Sequence, residues 1–121
     1  MKRFYALIRK LRKAYPQFTV QVRRKPQADF GHTWQLDEDQ RFRITIRKDL
    51  NEDAAIDTLI HEWAHSLAWN YMLEKAALEL TQGQIDQAEF EDRAHGPEFG
   101  VAFATVWRVF VRNILPVLRS Q

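Results

Sequence analysis

The feature that most constrains this chain is the run His61-Glu62-Trp63-Ala64-His65, which lies in a stretch with helical hydrophobic spacing. Residues four apart on a helix point about 40° apart around its axis and lie about 6 Å apart along it, so two imidazoles at this spacing can reach one ion. The same stretch has apolar residues three and four apart, which predict a buried stripe. Its members are Ile56, Leu59, Ile60, Trp63, Leu67 and Tyr71.

The ends of this helix are indicated by residues that favour helix termini. Asp49 with Glu52 fits a capping box, or Asn51 alone serves as the N-cap. The hydrophobic pattern continues to about residue 80, where Thr81 and the residues up to Gln84 interrupt it. We therefore expect the two histidines on a long helix that packs against the core.

The absence of cysteine narrows the possible metal chemistry. Disulfides, iron–sulfur clusters and cysteine nucleophiles are excluded, and only imidazoles and carboxylates remain as strong metal ligands. Two histidines four apart with a glutamate beside the first match zinc sites in which the glutamate acts as a general base on water. This pattern predicts Zn2+ as the cofactor, His61 and His65 as ligands, and Glu62 as the catalytic base.

A third protein ligand is expected, because a catalytic zinc site usually has three and leaves one position for water. The best candidate is His95, which directly precedes Gly96 and Pro97 at the predicted start of the last helix. The remaining histidine, His32, alternates in phase with apolar residues, which predicts a partly buried strand residue. Three glutamates compete with His95 for the metal, namely Glu89, Glu91 and Glu98.

The remaining patterns predict an α+β fold with a single domain over residues 1–121. A basic amphipathic helix precedes three stretches of alternating polarity, which begin near Phe18, Phe30 and Arg41. Three strands in succession suggest a three-stranded antiparallel sheet with one apolar face. The metal-binding helix and the C-terminal helices complete a compact, zincin-like domain. The apolar set expected on the second strand is Phe30, His32, Trp34 and Leu36.

The charge is distributed unevenly along the chain. Residues 1–28 contain nine of the 18 Lys and Arg and none of the 16 Asp and Glu, which gives that segment +9 and the remainder 9 − 16 = −7. Such a basic segment can attract DNA phosphates, although a solvated helix face has the same composition. No apolar run reaches the length of a membrane span and no signal-peptide pattern is present, so we expect a cytoplasmic protein.

The motif at residues 61–65 and the later His-Gly-Pro-Glu-Phe at residues 95–99 together resemble the SprT-like (Spartan-like) zinc metallopeptidases. The order of a helix, three strands and the metal helix is also similar, so the resemblance covers nearly all of the chain. It implies His61, His65 and His95 as zinc ligands and Glu62 as the catalytic glutamate. It further implies hydrolysis of peptide bonds, with DNA-associated or DNA-crosslinked proteins as the substrate class.

The chain departs from the family at two points. Twenty-nine residues separate His65 from His95, which suggests that residues 71–93 form an inserted helical arm. The lack of cysteine also means that residues 1–121 contain no counterpart of the zinc ribbon often found in the family.

Other functions fit parts of the same sequence. One is a regulator-cleaving peptidase with two histidines and a glutamate on the metal. Another is a zinc-dependent binding protein that does not cleave its partner, and a third is a non-catalytic nucleic-acid-binding module with structural histidines. For a peptidase, we expect residues 41–48 to form an edge strand that pairs with an extended substrate.

Overall fold

Helices and strands follow one another in the order that the sequence predicts. The computed structural model describes residues 1–36, 41–69 and 71–115, without the side chains of Tyr71 and Met72. The elements are α1 (Lys2–Ala14), β1 (Thr19–Lys25), β2 (Gly31–Gln35), β3 (Arg41–Arg47), α2 (Glu52–Leu67), α3 (Tyr71–Thr81), α4 (Gln87–Ala94) and α5 (Pro97–Asn113). The predicted α+β fold is therefore confirmed.

The sheet has β3 at its centre. β1 pairs with β3 in parallel and β2 pairs with it antiparallel, so the sheet is mixed and its order is β1-β3-β2. The predicted antiparallel meander is wrong in strand order and in the direction of one pairing. β3 has the most apolar inward side, with Phe42, Ile44 and Ile46 no more than 2% exposed, and the central position buries it best. Residues 26–30 are enough to separate β1 from β2 by about 10 Å, the width that β3 occupies.

The central position of β3 overturns the expectation that residues 41–48 pair with a substrate. Both sides of this strand already bond to neighbours, so it has no free edge. Within the described residues, β2 pairs only with β3, and its other edge lies beside α2. Any pairing of an extended peptide with this sheet at the α2 side therefore has to use β2.

The two faces of β2 are the reverse of those predicted. Thr33 is 7% exposed and faces α2, whereas the residues expected to be buried point away from it. The reason is the close approach of β2 to α2, since a Cβ on Gly31 would lie 2.5 Å from Cγ2 of Thr58. Only small side chains fit between the two elements. The exposed residues are Phe30 (59%), Trp34 (39%), Leu36 (40%) and His32.

The metal-motif helix is shorter than predicted. It ends at Leu67, and a separate helix begins at Tyr71. Between them, the indole Nε1 of Trp69 donates a hydrogen bond to Oε1 of Gln35 at 3.1 Å, and its ring lies 6.0 Å from the ring of Phe42. These contacts with the sheet hold Trp69 just after the end of the helix.

The N-termini of two helices follow the expected signals. Asn51 is the N-cap of α2, and its side chain accepts a hydrogen bond from the backbone N–H of Ala54 at 2.9 Å. Gly96 is the N-cap of α5 and Pro97 is its first residue, where the missing N–H costs little. Of the two predicted ways to cap α2, the structure therefore has the cap by Asn51 alone and not the capping box of Asp49 with Glu52.

Residues 71–93, predicted as an inserted arm, form α3 and most of α4. The turn between the two helices contains Gly83 with a φ of 75°, a conformation that favours glycine. Arg93 on α4 forms salt bridges with Glu79 on α3 at 3.1 Å and with Glu89 at 2.8 Å. The two helices therefore pack on each other as a pair.

The core lies between the inner side of the sheet and the helices α1, α2 and α5. On α5, Val106 is buried and the neighbouring Trp107 is 40% exposed. None of the helices in the described part of the chain is long and apolar enough to cross a membrane. The largest fully buried side chains include Trp63, Phe4, Phe42, Leu7, Leu11, Ile44, Ile46, Leu59, Ile60 and Val106.

We expect Gly31→Ala to lower the free energy of unfolding by about 1–3 kcal/mol, as measured by chemical denaturation. The new Cβ would lie 2.5 Å from Cγ2 of Thr58 and 2.8 Å from Cγ of Glu62, so α2 or β2 has to shift. Gly100→Ala is the matched control, because its Cβ would have no neighbour within 4 Å and alanine stabilises a helix interior by about 0.5–1 kcal/mol. A Gly31→Ala protein as stable as its parent would contradict the close approach of β2 to α2.

Candidate metal centre and adjoining groove

Three imidazoles converge at the junction of α2 with the start of α5. Nε2 of His61 lies 3.1 Å from Nε2 of His65 and 3.2 Å from Nε2 of His95. The candidate ligand atoms of all three lie within 4.8 Å of one another. Among the described residues, these three histidines form a group that could hold one metal ion. Nitrogens 2.0–2.1 Å from one zinc ion in tetrahedral geometry lie about 3.3–3.4 Å apart. The donor set and its spacing therefore fit one tetrahedral ion.

His95 is oriented by the end of α4. Its Nδ1 lies 2.6 Å from the backbone carbonyl oxygen of Glu91. A carbonyl oxygen only accepts, so Nδ1 donates the proton and Nε2 presents its lone pair to the other two imidazoles. Gly96 and Pro97 follow as the first residues associated with α5, so a helix end on each side holds the backbone of His95.

The rival glutamates are not part of the cluster. Glu89 forms a salt bridge with Arg93 at 2.8 Å, and the carboxylate of Glu91 accepts a hydrogen bond from Gln87 at 3.2 Å. Glu98, in the first turn of α5, is also absent from the group of ligand atoms within reach of one ion. The geometry thus brings together His61, His65 and His95 and leaves the glutamates outside.

The surroundings of the two α2 imidazoles, His61 and His65, favour their neutral forms. Burial lowers the pKa of His61, and the charge of a protonated His95 lowers it further. The pKa of His65 is lowered to about 3, first by burial and then by the nearby charges of His61, His95 and His32. At neutral pH, both α2 histidines are therefore deprotonated, as metal ligation requires.

Phe99 forms an apolar wall behind the cluster. Its ring centroid lies 5.0 Å from that of His61, 4.5 Å from that of His65 and 4.8 Å from that of His95. The sequence analysis placed Phe99 only at the end of the motif at residues 95–99, and nothing there marked it as a neighbour of all three ligands. Its position limits how far each ring can rotate.

Glu62 lies beside the cluster on α2 and is only 7% exposed. Burial raises the pKa of its carboxyl to about 7, the hydrogen bond from Thr33 lowers it, and the charge of Asp29 raises it. A carboxylate whose pKa is close to neutral can both take up and release a proton near neutral pH. Glu62 thus has the acid–base properties expected of a general base.

Thr33 is a site residue that the sequence reasoning missed. Its Oγ1 lies 2.9 Å from Oε1 of Glu62 and 2.9 Å from the backbone carbonyl oxygen of the same residue, so the hydroxyl donates to one or the other. The alternating pattern of β2 placed Thr33 on the outer side with the polar residues. The signal for its true position was the small size of Gly31 and Thr33, which allows a helix to pack closely.

A groove of about 1160 Å3 runs past the cluster, bounded by β2, α2, α3 and α4. Four carboxylates line it in addition to Glu62, and no Lys or Arg is among its described lining residues. The groove therefore has a negative potential that favours cationic groups. The four residues are Asp29, Asp57, Glu74 and Glu91.

Comparison with known proteins provides no relative for this chain. No protein-family model matches it, and no curated protein or solved structure does. The arrangement of imidazoles, buried carboxylate and acidic groove therefore provides the basis for assigning a function.

We expect purified protein supplied with zinc to hold about one zinc per chain, measured by elemental analysis after removal of unbound metal. His95→Ala should lose most of this zinc, because two ligands on one helix leave the ion without its third protein donor. His32→Ala is the matched control and should keep it, since His32 is exposed and outside the cluster. Equal zinc in the parent and in His95→Ala would exclude His95 as a ligand.

Proposed function

We propose that this protein is a zinc-dependent metallopeptidase that hydrolyses peptide bonds. The observation that carries this proposal is the convergence of three Nε2 atoms in a groove that the buried Glu62 also lines. Zinc held by His61, His65 and His95 would supply a Lewis acid that polarises a peptide carbonyl and acidifies water. The same donor set also accepts other divalent metals, but imidazole ligands in tetrahedral spacing favour zinc.

Glu62 carries out the proton transfers of the proposed reaction. When the hydroxyl of Thr33 donates to Oε1, Oε2 is left to accept a proton from the attacking water. The same carboxyl then protonates the amine of the departing peptide, so no second acid is needed. Thr33 acts as a positioning residue, because its hydrogen bond holds the carboxylate in one rotamer on the buried side of β2.

The resemblance to SprT-like metallopeptidases supports the same proposal. The two motifs, the order of elements and the positions of His61, His65, His95 and Glu62 agree with what that resemblance implies. Within the described residues, β2 pairs with one strand only, and its Thr33 contacts Glu62 on α2. We therefore propose membership of this family, with α3 and α4 as an addition next to the groove.

The alternative functions are less well supported by the geometry. A site with two histidines and a glutamate requires Glu89, Glu91 or Glu98 near the other ligands, and none of them is in the cluster. A binding protein or a nucleic-acid module with structural histidines gives no reason to bury Glu62 against a hydroxyl donor. A buried carboxyl beside metal ligands is costly unless it has a function or a partner.

The carboxylates of the groove indicate the substrate class of the proposed peptidase. Asp57 on α2 and Glu74 on α3 line the groove, whose described residues include no cation. An extended peptide with Lys or Arg side chains would find complementary charge along it. Proteins associated with DNA carry such segments, because they neutralise phosphates. We therefore propose cationic peptide segments as the substrates.

We expect Glu62→Gln to lower kcat by about 100-fold or more while zinc content and fold remain unchanged. Glutamine fills the same volume but cannot accept the proton. The measurement is hydrolysis of a quenched fluorescent peptide rich in Lys, with elemental analysis and circular dichroism on the same sample. Glu98→Gln, on an exposed residue of α5, is the control and should retain activity. Full activity in a zinc-loaded Glu62→Gln protein would contradict the assigned role.

We expect Asp57→Asn/Glu74→Gln to lower kcat/KM for a Lys-containing peptide several-fold and to leave that for its neutral analogue nearly unchanged. The two changes remove negative charge from the groove without altering shape, and the effect should shrink as salt increases. Asp92→Asn/Glu98→Gln removes the same charge outside this groove and is the matched control. Two results would argue against selection of substrates by charge. One is an equal loss of kcat/KM for the Lys-containing and the neutral peptide, and the other is an equal loss in the groove variant and the control variant.

A further inference from the structure

The helices α3 and α4 each turn one face toward the groove that passes the three imidazoles. On α3, Glu74, Ala77 and Leu78 line the groove, and the second and third of these follow the first by three and four residues. On α4, Phe90 and Ala94 line it and are four residues apart. These spacings place each set on one side of its helix. The helix pair therefore forms one wall of the groove, which we call the helical wall.

The helical wall has apolar surface that the described part of the chain leaves accessible. Leu78 is 58% exposed although it lies in the groove, and Phe90 is half-buried there. A single exposed leucine is ordinary on a protein surface. Several apolar residues that line one cavity among polar ones are instead typical of a binding site. The helical wall thus has the character of a recognition surface.

Two aromatic residues of β2 line the same groove. Phe30 is 59% exposed and Trp34 is 39% exposed. Cζ of Arg47 lies 5.8 Å from the ring centroid of Phe30, and Nζ of Lys25 lies 5.6 Å from that of Trp34. Neither cation is among the described residues that line the groove, so both hold the rings from outside it. The groove therefore has apolar surface on β2 as well as on the helical wall.

Carboxylates lie next to the apolar residues of the helical wall. Glu74 precedes Leu78 by one helical turn, and Glu91 directly follows Phe90. Side chains one turn apart are separated by about 6 Å. Residues on the same side of an extended peptide are separated by about 7 Å. A peptide with a large apolar residue two positions away from a Lys or Arg therefore matches the spacing of this wall.

The size and charge of the groove indicate a peptide as its occupant. Its volume of about 1160 Å3 is above the range of about 300–1000 Å3 that is usual for small-molecule sites. Four carboxylates line it besides Glu62, and its described lining contains no Lys or Arg. Such a groove repels a fatty acid or another apolar anion, whereas a peptide with both apolar and cationic side chains fits both properties.

We propose that the groove holds a large apolar side chain of the substrate between the helical wall and the rings of β2, beside a Lys or Arg that the carboxylates bind. This inference rests on the peptidase function proposed above and adds a second element of substrate selection to it. Leu78 and Phe30 are the specificity-determining residues, one on each wall. The pair of α3 and α4 thereby acquires a role, since it provides the wall that faces the apolar side chain.

The test measures peptide binding, so it does not depend on hydrolysis. Zinc-loaded Glu62→Gln protein, which leaves the peptide intact, is titrated into a labelled peptide with the sequence Lys-Ser-Leu-Ser-Lys and into its analogue with Ala in place of Leu. Fluorescence anisotropy should show about 10-fold tighter binding of the leucine peptide, as expected when about two of the three additional carbons become buried. This preference should persist when salt weakens the binding of both peptides, because salt screens charges.

Two double variants of the same protein separate the groove from the rest of the surface. Phe30→Ala/Leu78→Ala should reduce the preference for leucine to about twofold or less and leave the affinity for the alanine peptide nearly unchanged. Tyr5→Ala/Val101→Ala is the matched control, because it also removes one exposed aromatic and one exposed aliphatic side chain, both outside the groove. It should keep the full preference. Circular dichroism and the unfolding midpoint establish that both variants are folded.

Hydrolysis of the same peptides by the zinc-loaded parent distinguishes failure of this proposal from failure of the proposed function. Cleavage without any difference in affinity between the two peptides would overturn the apolar subsite and leave the peptidase intact. A clear preference for leucine without cleavage would uphold the subsite and count against the peptidase.

Three further outcomes would overturn the subsite. They are undetectable binding of both peptides at low salt, an equal loss of preference in the two double variants, and a parent dimer that becomes a monomer in Phe30→Ala/Leu78→Ala. The last result would mean that a second copy of the chain covers the apolar surface.

Discussion

The contact between β2 and α2 is the constraint on which the rest of the structure depends. Gly31 and Thr33 are small enough to let the strand lie directly against the helix, where a Cβ on Gly31 would already meet Glu62 at 2.8 Å. The same contact buries the carboxylate, provides its hydroxyl donor and turns the larger side chains of β2 outward. The raised pKa of Glu62, the orientation of its carboxylate and the exposure of the aromatic rings on β2 therefore all result from this one packing contact.

Much of the fold and of the candidate site could be predicted from the sequence, because the relevant signals are local. The spacing of His61 and His65 on a helix, the N-cap at Asn51 and the Gly-Pro start of α5 need only nearby residues to be interpreted. The parallel pairing of β1 with β3 and the choice of which face of β2 is buried depend instead on contacts between elements that are distant in sequence. Period-two alternation identifies a strand with two unlike faces, but it does not specify which face is covered.

The missed residues share this non-local character. Thr33 has a role because a helix that is distant in sequence lies against it, and Phe99 because α5 begins where three imidazoles meet. Trp69 follows the end of α2 and contacts Gln35 on the sheet, although Leu67 and Ala68 before it favour a continuing helix. In each case tertiary contacts determine the outcome, and local propensity gives the wrong result or none.

The position of His95 has a consequence for how the chain is held together. It lies at the end of α4, with twenty-nine residues between it and His65, so an ion shared by the two would close a long loop that contains the whole of α3. Unlike a covalent cross-link, the ion binds the folded arrangement and not the unfolded chain, so its binding free energy adds to the free energy of unfolding. A chain without cysteine would thus have a reversible cross-link in place of a disulfide. How well α3 and α4 are held against α2 would then depend on the supply of metal.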